Sequence, residues 1–474
     1  MAGRAESIME VKSKRVLVVG LGKSGVASAL FLEKHGARVA VSDAKSPDQL
    51  RNEIPVLLDH GISVETGQHG ERTFRDQDLI VVSPGVPYDV PQLVQARAMG
   101  IPVIGEVELA SRYLKGNIVA ITGSNGKTTT TTLAGAILAA GGRKALVGGN
   151  IGTPAISFVE SSTADTWVVL EISSFQLETI ESFHPKIAVV LNVTPDHLDR
   201  HYTFENYVAA KARIFENQTA TDSVVLNADS QPCVELAAKA KAPVCWFSRL
   251  HEVDRGAFTR GGQILWRDRR KEHEVMPVSE ISLKGSHNLE NVLAGVCVGM
   301  LAGVAPERIR QAVSEFKAVE HRLEFVATVR GVDYYNDSKA TNVDATIKAL
   351  ESFPGRIHLI LGGKDKGSDY SVLNPLLGER VKRVYTIGAA AAKIESQVSG
   401  SEIVSAGKLD VAVKRASESA VAGDVVLLAP ACASFDQFDS YEHRGRVFKD
   451  LVRQLAARGQ EREQVGSSTR GGNE

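Results

Sequence analysis

Between Asn117 and Thr130 the chain reads Asn-Ile-Val-Ala-Ile-Thr-Gly-Ser-Asn-Gly-Lys-Thr-Thr-Thr, an apolar, β-like run that breaks into a glycine loop and then a helical pattern. That order of strand, loop and helix predicts a phosphate-binding loop. Its glycines let successive backbone N–H groups converge on an anion, and the new helix presents its positive N-terminus. Lys127 can reach terminal phosphates and Thr128 can offer its hydroxyl to Mg²⁺, so Gly123, Ser124, Asn125, Gly126, Lys127, Thr128 and Thr129 are the expected contacts of ATP. The longer form of the loop has a glycine five residues before the Gly-Lys pair. Here that position is Ile121, and the match is to the shorter Gly-x-x-Gly-Lys-Thr form. The plainer alternative is a glycine-rich turn with a surface lysine.

A chain of 474 residues exceeds what one hydrophobic core normally holds, so two or three domains are expected. The net charge of -1 offers no basic surplus for nucleic acid or an acidic membrane, and neither is expected as a partner. Any anion must be met locally. The cysteines Cys233, Cys245, Cys297 and Cys432 are scattered without a Cys-x-x-Cys pair, which favours buried thiols in a reducing compartment. Met1 to Ser13 lacks an apolar signal core, and no apolar run approaches the ~20 residues of a membrane span. A soluble, cytoplasmic protein is expected.

Near the N-terminus, the strand-like Arg15–Val19 enters Gly20-Leu21-Gly22-Lys23-Ser24-Gly25 and then an amphipathic helix through His35, a full Gly-x-Gly-x-x-Gly fingerprint. A second strand, Ala37 to Ser42, ends in Asp43, placed to bond a ribose or a base edge. A third, Asp78 to Val82, stops at the glycine turn Ser83-Pro84-Gly85. Alone, the fingerprint admits NAD, another nucleotide diphosphate such as a UDP conjugate, or a purely structural turn. The expected first domain is a small doubly wound unit ending near residue 108.

Past the phosphate loop, βα alternation continues with strands at Trp167 to Leu170, Lys186 to Asn192 and Ser223 to Asn227, consistent with a parallel sheet. The first runs into Glu171 and the second into Thr194-Pro195-Asp196-His197, so a carboxylate and an imidazole arrive beside the phosphate loop as plausible metal ligands. His197 and His201 have zinc-like spacing, but no general-base Glu follows His197 as in metalloproteases. Lys211, in an amphipathic helical run, reads by itself as a solvated lysine. Val244 to Ser282 reads as short strands and surface excursions. Asn288 and Asn291, one helical turn apart, share a face that could read an adenine edge; Asn at a helix start can equally be a cap.

A third βα unit follows the helix Pro306 to Phe316, with strands at Val332 to Tyr335, His358 to Leu361, Val384 to Ile387 and Asp424 to Leu428. Polar segments lie at their ends: His321 to Glu324 ahead of the first strand, Asn336-Asp337-Ser338-Lys339-Ala340-Thr341-Asn342 after it, Gly362 to Lys366, and Pro430 to Phe438. Converging strand ends of this kind make a binding site. From about residue 457 the charged, apolar-poor sequence predicts a disordered tail.

Three motifs in this order, Gly-Ser-Asn-Gly-Lys-Thr, Asn-Asp-Ser-Lys-Ala-Thr-Asn and Ser434-Phe435-Asp436-Gln437-Phe438, give the chain a resemblance to the Mur ligases over nearly its whole length. The resemblance implies three α/β domains: a Rossmann-like domain over 1–108 holding UDP, a central P-loop ATPase-like parallel sheet over 109–316 holding ATP, and a Rossmann-like domain over 317–474 bringing an amino acid. It implies ATP-dependent addition of D-glutamate to UDP-N-acetylmuramoyl-L-alanine, by a monomer, in peptidoglycan precursor synthesis. Alternatives are another amino-acid ligase of the Mur or folylpolyglutamate type or, in a different class, an NAD-dependent oxidoreductase.

The resemblance also assigns residues. Gly20, Gly22, Lys23, Ser24, Asp43, Ser83, Gly85 and Asn150 would face the UDP substrate, and Asn288, Asn291, Arg322 and Asp337 the adenine nucleotide. Lys127, Glu171, His197 and Lys211 would be catalytic. Lys211 would carry a CO₂-derived carbamate and, with Thr128, Glu171 and His197, ligate Mg²⁺. Thr341, Lys366, Ser434, Phe435 and Tyr441 would hold D-glutamate.

Overall fold

The apolar run Arg15–Val19 forms strand β1, buried from Val16 onward, as a strand covered on both faces of a parallel sheet must be. The computed structural model describes residues 9–269, 271–283, 285–317 and 320–468. With β2 (Arg38–Asp43), β3 (Ser63–Thr66), β4 (Leu79–Val82) and β5 (Val103–Gly105), β1 builds a parallel sheet of order β3-β2-β1-β4-β5. The strand order reverses between β1 and β4. At such a switch point the connections leave on opposite faces and open a crevice beyond the carboxyl ends of the strands.

A second sheet contains β6 (Asn117–Thr122), β7 (Ala145–Gly149), β8 (Trp167–Glu171), β9 (Ile187–Val190), β10 (Ser223–Asn227), β11 (Val244–Ser248), β12 (Gly256–Arg260), β13 (Gln263–Asp268) and β14 (Lys271–Pro277). Its order is β14-β13-β12-β11-β10-β9-β6-β8-β7. Pairings from β7 to β12 are parallel, whereas β12, β13 and β14 pair antiparallel. The change of direction is local chemistry. Gly261 and Gly262, at φ 57 and 75, form the two-residue connection between β12 and β13, a conformation glycine adopts without penalty.

The third sheet comprises β15 (Glu324–Val329), β16 (Val332–Asn336), β17 (Ile357–Gly362), β18 (Val381–Ile387), β19 (Glu402–Gly407) and β20 (Val425–Leu428), in the order β15-β16-β20-β17-β18-β19. β15 corrects the expected polar approach to a first strand at 332: it is an antiparallel edge strand hairpinned onto β16. Its exposed Phe325 and mixed pattern gave no clean alternation to read. All other pairings in this sheet are parallel.

The last helix is Tyr441–Ser468 and enters the stretch read as a tail from about 457. Residues 469–474 lie outside the described residues.

By contacts, the chain forms two units. One comprises the chain up to Val193 with Thr203–Ile281 and Glu290–Phe316; the other comprises Thr194–Tyr202, Ser282–Leu289 and the chain from Lys317. In the first unit, the two sheets share one hydrophobic core, running from Val16 and Val18 through Ile118 and Ala120 to Val168 and Leu170. Glu108 clasps them together: its buried carboxylate accepts the backbone N–H groups of Glu181, Ser182 and Phe183 at 2.9–3.1 Å and Arg112 Nε at 2.7 Å. Burial pushes its pKa up, but the Ser182 hydroxyl, the Glu181 N–H and Arg112 outweigh burial and hold it below the ordinary value. In the second unit, alternate residues of the central strands feed separate cores on the two sheet faces, Leu359, Leu361 and Leu427 on one and Ile360, Val426 and Leu428 on the other.

Candidate active site

In the first unit, β6 ends at Thr122 and the chain turns through Gly123, at φ 153, to Gly126, at φ 83, which starts the helix Lys127–Ala140. At Gly126 the left-handed φ would strain any other residue, and a Cβ there would lie 2.2 Å from Asn291 Oδ1, which would have to move. Asn192, beyond β9, braces the loop: its Oδ1 accepts Asn125 N at 2.8 Å, its Nδ2 donates to Asn125 O at 3.2 Å, and its carbonyl accepts Ser124 N at 3.0 Å. Lys127 Nζ donates to Gly123 O at 2.8 Å and Ser124 O at 2.9 Å, so the ammonium lies along the loop.

Glu171 leaves the carboxyl end of β8, next to β6, and its two carboxylate oxygens are differently occupied. Oε2 accepts Thr128 Oγ1 at 2.7 Å and Oε1 accepts Asn150 Nδ2 at 2.9 Å. Lys211 is only 1% exposed, which rules out the solvated-lysine reading. Its Nζ donates to Gly123 O at 2.9 Å and lies 4.4 Å from the centroid of the Tyr207 ring. Thr128, Glu171, Asn150, Lys127 and Lys211 thus gather around one loop. Asn291 belongs to the same cluster through Thr130 Oγ1, at 3.2 Å, and Thr129 is buried in the first turn.

At the first sheet's carboxyl edge, Gly20 to Gly25 bridge β1 and the helix Lys23–Lys34. A Cβ on Gly25 would fall 1.9 Å from Gly20 O, so only glycine allows the helix this close. Asp43 is buried and holds the loops: Oδ2 accepts Leu21 N at 2.6 Å and Oδ1 accepts Lys45 N at 2.8 Å. Ser83 Oγ donates to Gly20 O at 2.7 Å. Lys23, Gly22 and Gly85 edge this crevice, with Lys23 exposed and Ser24 half-buried.

In the second unit, β16, β20 and β17 are adjacent and parallel, so their carboxyl ends deliver 337–342, 430–434 and 363–366 to one edge. Lys364 and Ala433 exchange backbone hydrogen bonds at 2.8 and 3.1 Å, closing two of these loops on each other. Lys366 Nζ lies 3.4 Å from Asp196 Oδ1. Ser434 is buried beside them in sequence, Phe435 is 67% exposed, and Thr341 and Tyr441 are half-buried. The Tyr441 ring centroid lies 5.1 Å from Lys339 Nζ, and Tyr441 O accepts Ser338 Oγ at 2.8 Å.

His197, the remaining expected metal ligand, is also in this unit, heading the single-turn helix Leu198–His201 at φ 54. Asn288 is buried at the start of the helix Ser286–Leu301. Asp337 is buried; desolvation raises its pKa to about 6, opposed by the nearby Arg322 charge and the Leu323 N–H. Arg322 Nε is buried without a hydrogen-bond partner among the described residues.

Sequence reading missed three supports. Asn192 and Asp196 lie within the polar run that follows the strand ending at Asn192, but nothing in the sequence singles either out for its role. Arg444 is wholly buried, and its guanidinium donates to Ser338 Oγ and O and to Cys432 O at 2.8–3.2 Å, tying the ends of β16 and β20 together. Nothing local in a helical sequence marks an arginine for burial.

Comparison with known proteins agrees along the chain. Residues 14–105 match the family described as Mur ligase MurD-like, N-terminal domain; 121–299 match the Mur ligase middle domain; and 321–432 match the Mur ligase, glutamate ligase domain. The UDP-N-acetylmuramoylalanine--D-glutamate ligase of Koribacter versatilis is 70% identical over 94% of this chain and 99% of its own length. The protein of the same name from Acidobacterium capsulatum is 62% identical over 95% of this chain and 98% of its own. Among solved structures, a pseudomurein peptide ligase type C from Methanothermus fervidus superposes with a TM-score of 0.60 at 18% identity, covering 93% of this chain and 100% of that one. UDP-N-acetylmuramate-alanine ligase MurC from Thermotoga maritima gives 0.56 at 20% identity, covering 93% and 99%. At such identities the structural likeness speaks for the fold alone.

Proposed function

The chain belongs to the Mur ligase family, and on that premise we propose that it is an ATP-dependent ligase that joins D-glutamate to UDP-N-acetylmuramoyl-L-alanine in peptidoglycan precursor synthesis. The observation that carries the reading is 70% identity to a ligase of that name over 94% of the chain. The phosphate loop, with Thr128 and Glu171 in contact at its base, supports it. An NAD-dependent oxidoreductase has only the first glycine fingerprint in its favour.

A carboxylate is a poor acyl donor. The γ-phosphoryl group of ATP is transferred to the alanyl carboxylate, releasing ADP; the neutral amine of D-glutamate attacks the acyl phosphate, and the C–O bond to phosphate breaks as the amide forms. The protein's part is positioning and electrostatics. Lys127 and the loop N–H groups neutralise the polyphosphate. Thr128 Oγ1 and the Glu171 carboxylate, 2.7 Å apart and buried, are hard oxygen donors of the kind Mg²⁺ takes, with His197 as a further ligand. When bound, Mg²⁺ supplies charge stabilisation to the phosphoryl oxygens. Lys211, buried beside Gly123 O, is the candidate for a CO₂-derived carbamate, which would replace a cation by an oxygen donor.

The same reading places UDP at the crevice of Gly20, Gly22, Lys23, Ser24, Asp43, Ser83 and Gly85, with Asn150 near the substrate. It places the adenine nucleotide at Asn288, Asn291, Arg322 and Asp337, and D-glutamate at Thr341, Lys366, Ser434, Phe435 and Tyr441. Domain limits of 1–108, 109–316 and 317–474, a monomeric state and a cytoplasmic site of action belong to it too; no helix among the described residues is long and apolar enough to cross a membrane. The test is phosphate release with ATP, Mg²⁺ and UDP-N-acetylmuramoyl-L-alanine against a panel of amino acids. D-glutamate alone is expected to support turnover; release independent of any amino acid would refute the assignment.

A further inference from the structure

Lysine is a flexible choice for gripping a carboxylate, because its four-carbon stem loses rotamer freedom on binding unless something holds it beforehand. Lys366 is held. Its Nζ lies 3.4 Å from Asp196 Oδ1, and each oxygen of Asp196 accepts a further hydrogen bond. Oδ1 also accepts the His197 backbone N–H at 2.9 Å, and Oδ2 accepts Asn342 Nδ2 at 2.9 Å. Asn342 cannot turn its amide round without loss, since its Oδ1 caps the helix Val343–Glu351 by accepting Ala345 N at 2.8 Å. The chain of constraint therefore runs from a helix cap, through Asn342 and Asp196, to the Lys366 ammonium.

We propose that Asp196 is a positioning residue for amino-acid binding, acting through Lys366. The inference rests on the reading of Lys366 as a ligand of the D-glutamate carboxylate. At 3.4 Å the pair is looser than the 2.7–2.9 Å of a tight charge-assisted bond, and an ammonium has three donors, so Lys366 keeps donors for a substrate while its stem is oriented. Because Asp196 directly precedes His197, the carboxylate that aims Lys366 also fixes the backbone of the expected metal ligand, with His197 Nε2 3.6 Å from Oδ2.

The negative charge of Asp196 opposes an incoming carboxylate, so its removal could in principle tighten binding. The hydrogen bonds decide otherwise. In Asp196→Asn the new NH₂ group faces a donor whichever way it turns, because Lys366 and the His197 N–H occupy one oxygen and Asn342 the other.

The test is a mutant cycle read by D-glutamate-dependent phosphate release. Asp196→Asn is expected to raise KM for D-glutamate on the order of tenfold, with KM for ATP within about twofold. In a Lys366→Ala background, adding Asp196→Asn should change KM for D-glutamate by less than about twofold, since the group it positions is gone. Asn342→Ser keeps a capping oxygen and removes the amide donor to Asp196; it should raise KM about threefold, and does not depend on Asp196→Asn folding. Effects of Asp196→Asn and Lys366→Ala that multiply, an equal rise in KM for ATP, or unchanged KM in both Asp196→Asn and Asn342→Ser would overturn the proposal. If Lys366→Ala alone leaves KM for D-glutamate unchanged, the assignment of the amino-acid pocket itself fails.

Discussion

Thr128 donates its hydroxyl to Glu171 Oε2 at 2.7 Å, although one lies in the first turn of the helix after β6 and the other at the end of β8, 43 positions apart. The contact follows from topology. β6 and β8 are parallel neighbours with Ile121 opposite Glu171, so the helix that begins past β6 starts beside the end of β8. If the pair serves as two oxygen ligands, Thr128→Val keeps the branched shape and deletes one of them. The Mg²⁺ concentration for half-maximal activity should rise on the order of tenfold, with a stability loss of about 1–3 kcal/mol from the lost hydrogen bond to the buried Glu171 carboxylate. A magnesium titration of phosphate release checks this; an unchanged requirement would remove Thr128 from the metal site.

Lys211→Ala is expected to be inactive and partly restored by added formate or acetate, which can supply a carboxylate oxygen where the carbamate would stand. Phosphate release with and without the additive is the measurement. Full activity of the variant without additive would contradict any role for this buried lysine.

Lys366→Ala should raise KM for D-glutamate by the equivalent of about 2–5 kcal/mol, as when one partner of a desolvated charge pair is removed, with little change for ATP. L-glutamate should fail with the unsubstituted enzyme, because inversion at the α-carbon carries the amine away from the acyl phosphate when both carboxylates stay bound. Equal use of the two enantiomers would place the pocket elsewhere.

Much of this arrangement is legible in the sequence and some is not, for physical reasons. β1 and β10 are continuous apolar runs bounded by polar or glycine residues, and the expected limits, Arg15–Val19 and Ser223–Asn227, are the observed ones. β7, Ala-Leu-Val-Gly-Gly, and β15 escaped, one because glycines dilute its pattern and the other because an edge strand need not bury either face. The phosphate loop is legible because its chemistry is local. The burial of Lys211 depends on Gly123, 88 residues away, and the grip on Lys366 depends on Asp196, 170 residues away; no periodicity records either.

A pH dependence of stability resides in Glu106, which lies outside the proposed chemistry. Its side chain is buried; Oε1 accepts Ile156 N at 2.7 Å and Oε2 has no hydrogen-bond partner among the described residues. Burial raises its pKa to about 7, against the opposing N–H groups of Ile156 and Ala155. The folded protein therefore binds the proton more tightly than the unfolded chain, so stability is retained below about pH 4.5 and lost as pH rises to about 7. Glu106→Gln keeps the acceptor for Ile156 and removes the charge. The variant should gain roughly 1–3 kcal/mol over the parent between pH 5 and 8, and nothing near pH 4, in denaturant titrations. A difference independent of pH would contradict a buried titrating carboxyl.

The most direct measurement follows the oxygen. UDP-N-acetylmuramoyl-L-alanine labelled with ¹⁸O in the alanyl carboxylate is incubated with the protein, ATP, Mg²⁺ and D-glutamate, and the products are weighed by mass spectrometry. The account predicts a D-glutamyl amide together with phosphate that carries an oxygen from the label, since that oxygen leaves with phosphate when the acyl phosphate is opened. Unlabelled phosphate, or labelled phosphate with no amide product, would contradict it.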